Sequence, residues 1–168
     1  ENEVSITEDG QSASITLAYT LFLVEEGVLK TDFSTTNSAF AVSQQDGYAL
    51  FKTSGSGYFV AYTSEIDLTQ YSSMEVEGTF TVDSGHSTSF YIGIWESSVT
   101  TPSSSNVIAK TTYKAGTSTY SLDISSYSGS YKVGIAAATS GYSEKVTRWA
   151  LITDNGQRDY IYYTGNQY

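Results

Sequence analysis

Few residues in this chain could do acid–base or nucleophilic chemistry, and their spacing argues against it. There is one histidine, His86 in VDSGHST, and no cysteine. A Ser–His–Asp triad would have to use His86, yet that stretch lies between two alternating segments and reads as a hairpin loop. One imidazole without thiolates cannot build a zinc site. No G-x-S-x-G, P-loop or G-x-G-x-x-G motif is present, and Gly55 and Gly57 in SGSG form a turn with no helix behind them. A glycosidase needs only two carboxylates at a suitable separation. Glu75 and Glu77 share a strand face, but that face continues with Thr79 and Thr81. It reads as solvated, whereas a catalytic acid needs a hydrophobic pocket to raise its pKa. Asp154, Asp159 and Glu96 form no constellation. The residues point away from an enzyme.

Binding sugars needs other parts. A glycan offers C–H faces that stack on aromatic rings and hydroxyls that bond to polar groups. In FYIGIW, Tyr91, Gly93 and Trp95 point opposite to Phe90, Ile92 and Ile94. Tyr91 and Trp95 are roughly 13 Å apart along a strand, about the span of two or three sugar rings. In YKVGIAAA, Gly134, Ala136 and Ala138 point opposite to Val133, Ile135 and Ala137. If the two strands are neighbours, small residues floor a shallow groove walled by Tyr91 and Trp95. The competing reading is that this face is core, or lies beneath a covering loop. Tyr58 and Tyr62 share a face beside SGSG, and Tyr142 sits in the loop-like SGYSEK; both are further candidate sugar contacts. Trp149 in TRWALIT has apolar neighbours and reads as a core or edge residue. The closing Tyr160, Tyr162, Tyr163 and Tyr168 read as a sticky edge suited to a homo-oligomer. No cofactor is indicated. Calcium is the one metal considered, with candidate oxygens at Asp32, Asp46, Asp83 and Asp154 but no EF-hand spacing.

The elements that must position these residues are strands. The chain has 168 residues, enough for one domain over 1–168. Its 15 Tyr, 14 Gly, 27 Ser and 22 Thr, with a single Pro, favour strands and turns over helices. Net charge is -10, which argues against nucleic acid and against anionic membranes. No apolar run is long enough to span a membrane as a helix. The chain opens ENEVSITEDG, which reads as a mature protein or a segment of a longer one.

Period-2 alternation marks about a dozen short strands, punctuated by EDGQ, EEG, QQDG and DNGQ. SGSG reads as the turn of a hairpin between Tyr48–Thr53 and Tyr58–Thr63. TTPSSSN (100–106) reads as an exposed loop, and Asn155-Gly156 as a hairpin turn. The pattern predicts an all-β, antiparallel two-sheet β-sandwich of jelly-roll type. One connector occurs twice: [IL]-D-[LI]-[TS]-x-Y-S starts at Ile66 and again at Leu122. Asp67 and Asp123 are expected to cap tight turns, Leu68 and Ile124 to point inward, and Tyr71 and Tyr127 to cover the core edge. Two such connectors are expected to lead into equivalent strands, one in each sheet.

The run IDLTQYSSMEVEGTFTV…YIGIW…AKTTYKAGTSTYSLDISSYSGSYKVGIAA resembles the jelly-roll, carbohydrate-binding-module-like domains of bacteriophage tail, baseplate and fibre proteins and of bacterial surface proteins. The resemblance covers roughly Ala13 to Ala138 and includes ASITLAYTLFLVEEGVLKTDF. It implies a non-catalytic module at an extracellular or virion surface, with host cell-wall or surface polysaccharide as partner. It transfers no binding residues. Two other functions stay open: a structural spacer, decoration or oligomerising fibre domain, and a sandwich-fold glycoside hydrolase.

Overall fold

The computed structural model describes residues 3–8, 13–18, 20–55, 57–82, 90–112, 115–137 and 141–153, the first two stretches as backbone. Every regular element among them is a strand, so none is a helix able to cross a membrane. β1 (Glu3–Glu8) and β2 (Ala13–Ala18) form a separate antiparallel hairpin. The remaining strands form two antiparallel sheets facing each other across one core, the jelly-roll-type sandwich that the alternation predicts.

The seven-stranded sheet is centred on β15 (Tyr142–Ile152). Along one side β15 pairs with β10 (Ser73–Val82), which in turn pairs with β13 (Gly116–Asp123). Along its other side β15 pairs first with β7 (Ala49–Thr53) and then with β3 (Thr20–Glu25). β4 (Val28–Leu29) and β6 (Phe40–Gln44) complete the sheet. The six-stranded sheet runs β12 (Ala109–Thr112), β11 (Phe90–Glu96), β14 (Ser130–Ala137), β8 (Phe59–Tyr62) and β5 (Ser34–Thr35). β9 (Ile66–Asp67) adds to the far end of β14.

Alternation turns Met74, Val76 and Phe80 of one sheet toward Phe90, Ile92, Ile94, Val133 and Ile135 of the other, all buried. Phe80 and Phe90 stack across the gap at 4.4 Å between centroids. Trp149 is fully buried against Phe51 and Phe33, the core position read from its neighbours.

The repeated connector does cross between the sheets, in opposite directions. The first copy leads from β9 in the six-stranded sheet to β10 in the seven-stranded one. The second leads from β13 back to β14. Asp67 accepts from Thr69 N (3.0 Å) and Oγ1 (2.6 Å); Asp123 accepts from Ser125 N (2.9 Å) and Oγ (2.6 Å). These bonds hold both carboxyls below the ordinary range. Leu68 and Ile124 are fully buried. The copies also bond each other: Leu68 N donates to Gly129 O, Gly129 N to Thr69 Oγ1 and Ile124 N to Ser72 O, each 2.9 Å. Asp67 stands opposite Ser130 in one sheet and Asp123 opposite Ser73 in the other, a local two-fold arrangement.

Three expectations are corrected. SGSG does not close a hairpin, because β7 and β8 lie in different sheets and the segment crosses between them. β10 and β11 are likewise in different sheets, so the His86 stretch does not join a hairpin; His86 itself lies outside the described residues. Ile15–Val24 is two strands: β2 pairs with β1, while β3 joins the seven-stranded sheet. The Asn155-Gly156 turn and Tyr160–Tyr168 also lie outside the described residues.

Candidate functional site: the outer face of the six-stranded sheet

β11 and β14 are neighbours, in the register that sets Tyr91 opposite Ala136, Gly93 opposite Gly134 and Trp95 opposite Lys132. β12 flanks β11, with Lys110 opposite Gly93 and Thr112 opposite Tyr91. β8 flanks β14, with Tyr62 opposite Gly134 and Val60 opposite Ala136. Because paired residues point to one side of a sheet, all of these share the face turned away from the main core. The small-residue floor of Gly93, Gly134 and Ala136 thus forms, with Ala138 outside the described residues, but it is not an open groove.

The groove is filled by Trp95. A side-chain carbon at Gly93 would lie 3.3 Å from Trp95 Cη2, and one at Gly134 would lie 3.1 Å from Cζ3, so the indole lies over both glycines. The segment between β11 and β12 then covers the ring. Trp95 Nε1 donates to Ser103 O at 2.9 Å, and Val99 and Val107 pack on the cluster. Asn106 braces the segment, accepting from Ser103 N (2.7 Å) and donating to Thr101 O (3.1 Å). Lys132 Nζ ties it down from below by donating to Val99 O. Trp95 is 0% exposed and Tyr91 4%. Neither ring is a free platform, and TTPSSSN, though largely exposed as expected, also covers the indole through Ser103 and the buried Pro102. Val99, Pro102 and Val107, apolar residues spaced through a polar stretch, are the sequence signal for that cover.

Tyr142 is corrected too. It opens β15 and lies 1% exposed inside the sandwich, stacked at 5.5 Å and 6° on Phe80. Tyr58 and Tyr62, in contrast, stay half-buried at the edge of the outer cluster. Tyr58 packs on Tyr91 at 6.2 Å, and Tyr91 on Trp95 at 6.2 Å, so the rings form a continuous strip. The buried hydroxyls of Tyr58 and Tyr91 have no hydrogen-bond partner among the described residues. Burial holds the Tyr91 phenol well above its ordinary pKa, so it remains a donor.

Two residues of this face carry charge that the aromatic pattern does not reveal. Lys110 Nζ sits 5.0 Å from the centre of the Tyr91 ring, and Lys132 Nζ 5.6 Å from that of Tyr62, both within cation–π range.

The other candidate chemistry is not assembled. Glu75 is paired with Arg148 at 2.8 Å and Glu77 is exposed, both on the outer side of the seven-stranded sheet. Of the calcium candidates, Asp32 and Asp46 are exposed, while Asp83 and Asp154 lie outside the described residues. Among the described residues no group of three or more metal-ligating side chains converges. Glu144 is the one buried carboxylate among them, 1% exposed and pushed up to about 8 by desolvation. It points into the main core, where Gly78 leaves room: a side-chain carbon there would lie 2.7 Å from Glu144 Oε1.

No protein-family profile and no curated protein matches the chain. Solved structures do match its fold. A variant of a family 29 carbohydrate-binding module in complex with cellulohexaose superposes with a TM-score of 0.58 at 11% identity, over 81% of this chain and 92% of that one. A second variant, in complex with mannohexaose, gives 0.56 at 11% identity over the same shares. A family 29 module from Piromyces equi gives 0.55 at 8% identity, over 82% of this chain and 91% of its own. At these identities the likeness is one of fold.

Proposed function

We propose that the chain is a non-catalytic carbohydrate-binding or adhesion module of a phage virion or bacterial surface protein, acting outside the cell or on the virion surface. It takes polysaccharide on the outer face of the six-stranded sheet. The observation that carries this reading is the pair of half-buried rings, Tyr58 and Tyr62, at the edge of the aromatic cluster on one sheet face of the sandwich. Structures of similar fold include modules bound to cellulohexaose and mannohexaose, which supports a glycan as partner. Tyr58 and Tyr62 supply the reachable rings. Tyr91 and Trp95 pack beside them as support, Trp95 beneath its cover.

A second reading, a structural spacer or decoration, is favoured by one fact: both tryptophans are fully buried. A glycan array spanning bacterial wall polysaccharides, glucans and mannans, probed with the intact chain, separates the two. Saturable binding to any polysaccharide supports the module; a blank array supports the spacer.

A further inference from the structure

On the reading that this face binds polysaccharide, we infer that its ligand is an anionic polysaccharide, with the exposed Lys110 holding its carboxylate or phosphate groups and Lys132, whose Nζ also donates to Val99 O, adding positive charge beside it. The chain carries 18 acidic and 8 basic residues. Yet the strands of this face set two lysines on it, Lys110 opposite Gly93 and Lys132 opposite Trp95. The other residues these strands turn to it are Val60, Tyr62, Tyr91, Gly93, Trp95, Thr112, Gly134 and Ala136, none of them acidic. At its end stands one carboxylate, Asp67 opposite Ser130, which keeps its charge while its Oδ1 accepts from Thr69.

Ring geometry points the same way. A neutral sugar needs a bare aromatic face for its C–H groups. Here the Tyr91 ring has an ammonium at 5.0 Å and the Tyr62 ring one at 5.6 Å. A neutral glycan must displace these groups, whereas an anionic one bonds to them while the rings stay beneath. Long-range attraction does not explain such binding, since the net charge of -10 repels a polyanion; the recognition must be local.

The test titrates the intact chain at fixed ionic strength with polygalacturonate (carboxylate), wall teichoic acid (phosphate), cellohexaose, mannohexaose and polyglutamate. Lys110→Gln and Lys132→Gln are measured alongside, with thermal midpoints to check folding. The expected result is binding of polygalacturonate or teichoic acid at least about tenfold tighter than either neutral hexasaccharide, with Lys110→Gln bringing them near parity. Which of the two polymers binds names the anionic group. Neutral oligosaccharides binding as tightly, unaffected by Lys110→Gln, would overturn the inference and leave the glycan reading standing. Polyglutamate binding as well as polygalacturonate would overturn it by reducing the site to a charge effect. No binding to any saccharide would overturn both.

Discussion

The indole N–H of Trp95 donates to the carbonyl of Ser103 at 2.9 Å, closing a segment of the chain over the one tryptophan that a sheet-face reading would offer to a sugar. Trp95 is therefore a packing residue. Trp95→Ala is expected to cost about 3–5 kcal/mol of stability, in the range for loss of a buried tryptophan. Denaturant unfolding measures this directly. Because both tryptophans are fully buried, intrinsic fluorescence should be blue-shifted and shielded from acrylamide. Strong quenching of one tryptophan in the folded protein would show that the cover is open.

Tyr62 behaves in the opposite way, being half-buried and outside the main core. Tyr62→Ala is expected to leave the fold intact and to weaken polysaccharide binding severalfold, since it removes both a reachable contact and the ring under the Lys132 ammonium, a contact of about 0.5–1 kcal/mol. Calorimetric titration beside a melting curve gives both readouts.

Glu144 makes stability depend on pH. Burial holds its carboxyl up to about 8, against 4.5 for the free group. Between those values the folded state keeps a proton that the unfolded chain has released, so stability falls as pH rises. The loss by pH 9 is on the order of a few kcal/mol. Glu144→Gln should flatten this slope and raise the melting temperature in mild alkali. Asp67 and Asp123 act at the other end, since their lowered pKa values make their contribution present above the ordinary carboxylate range and lost as pH falls through it. Melting curves from pH 3 to 9 should thus peak in the weakly acidic range; a peak in alkali would contradict this account of Glu144.

The two connectors form one unit, because each bonds the other through Leu68, Thr69, Ser72, Ile124 and Gly129. Asp67→Ala and Asp123→Ala should each lower the melting temperature. The double variant should lose less than the sum, because the first loss already loosens the shared crossing. Strict additivity would mean two independent turns.

Much of the architecture is legible in the sequence because alternation reports which residues share a face. The FYIGIW and YKVGIAAA segments show it: their outward sets do lie together, in register. The twin aspartates are legible because an Asx turn is a local device. What alternation does not report is which sheet a strand joins. SGSG illustrates this, since a Gly-Ser turn suits a hairpin and a crossing between sheets equally well. Nor does alternation say whether a face is covered. The glycines opposite each other at 93 and 134 read as a floor for a ligand, but an intramolecular indole fills the same space. The lysines were hidden for a related reason. Only strand register sets Lys110 and Lys132 over tyrosine rings.

The most direct test of the central claim compares Tyr62→Ala, Trp95→Ala and the unaltered chain in one calorimetric titration with whichever polysaccharide the array identifies, with melting curves on each protein. The account predicts saturable binding by the unaltered chain, clearly weakened binding by a Tyr62→Ala variant of unchanged melting temperature, and a Trp95→Ala variant marked first by its lowered stability. Undiminished binding by Tyr62→Ala, with its fold intact, would move the glycan site off this sheet face and contradict the account.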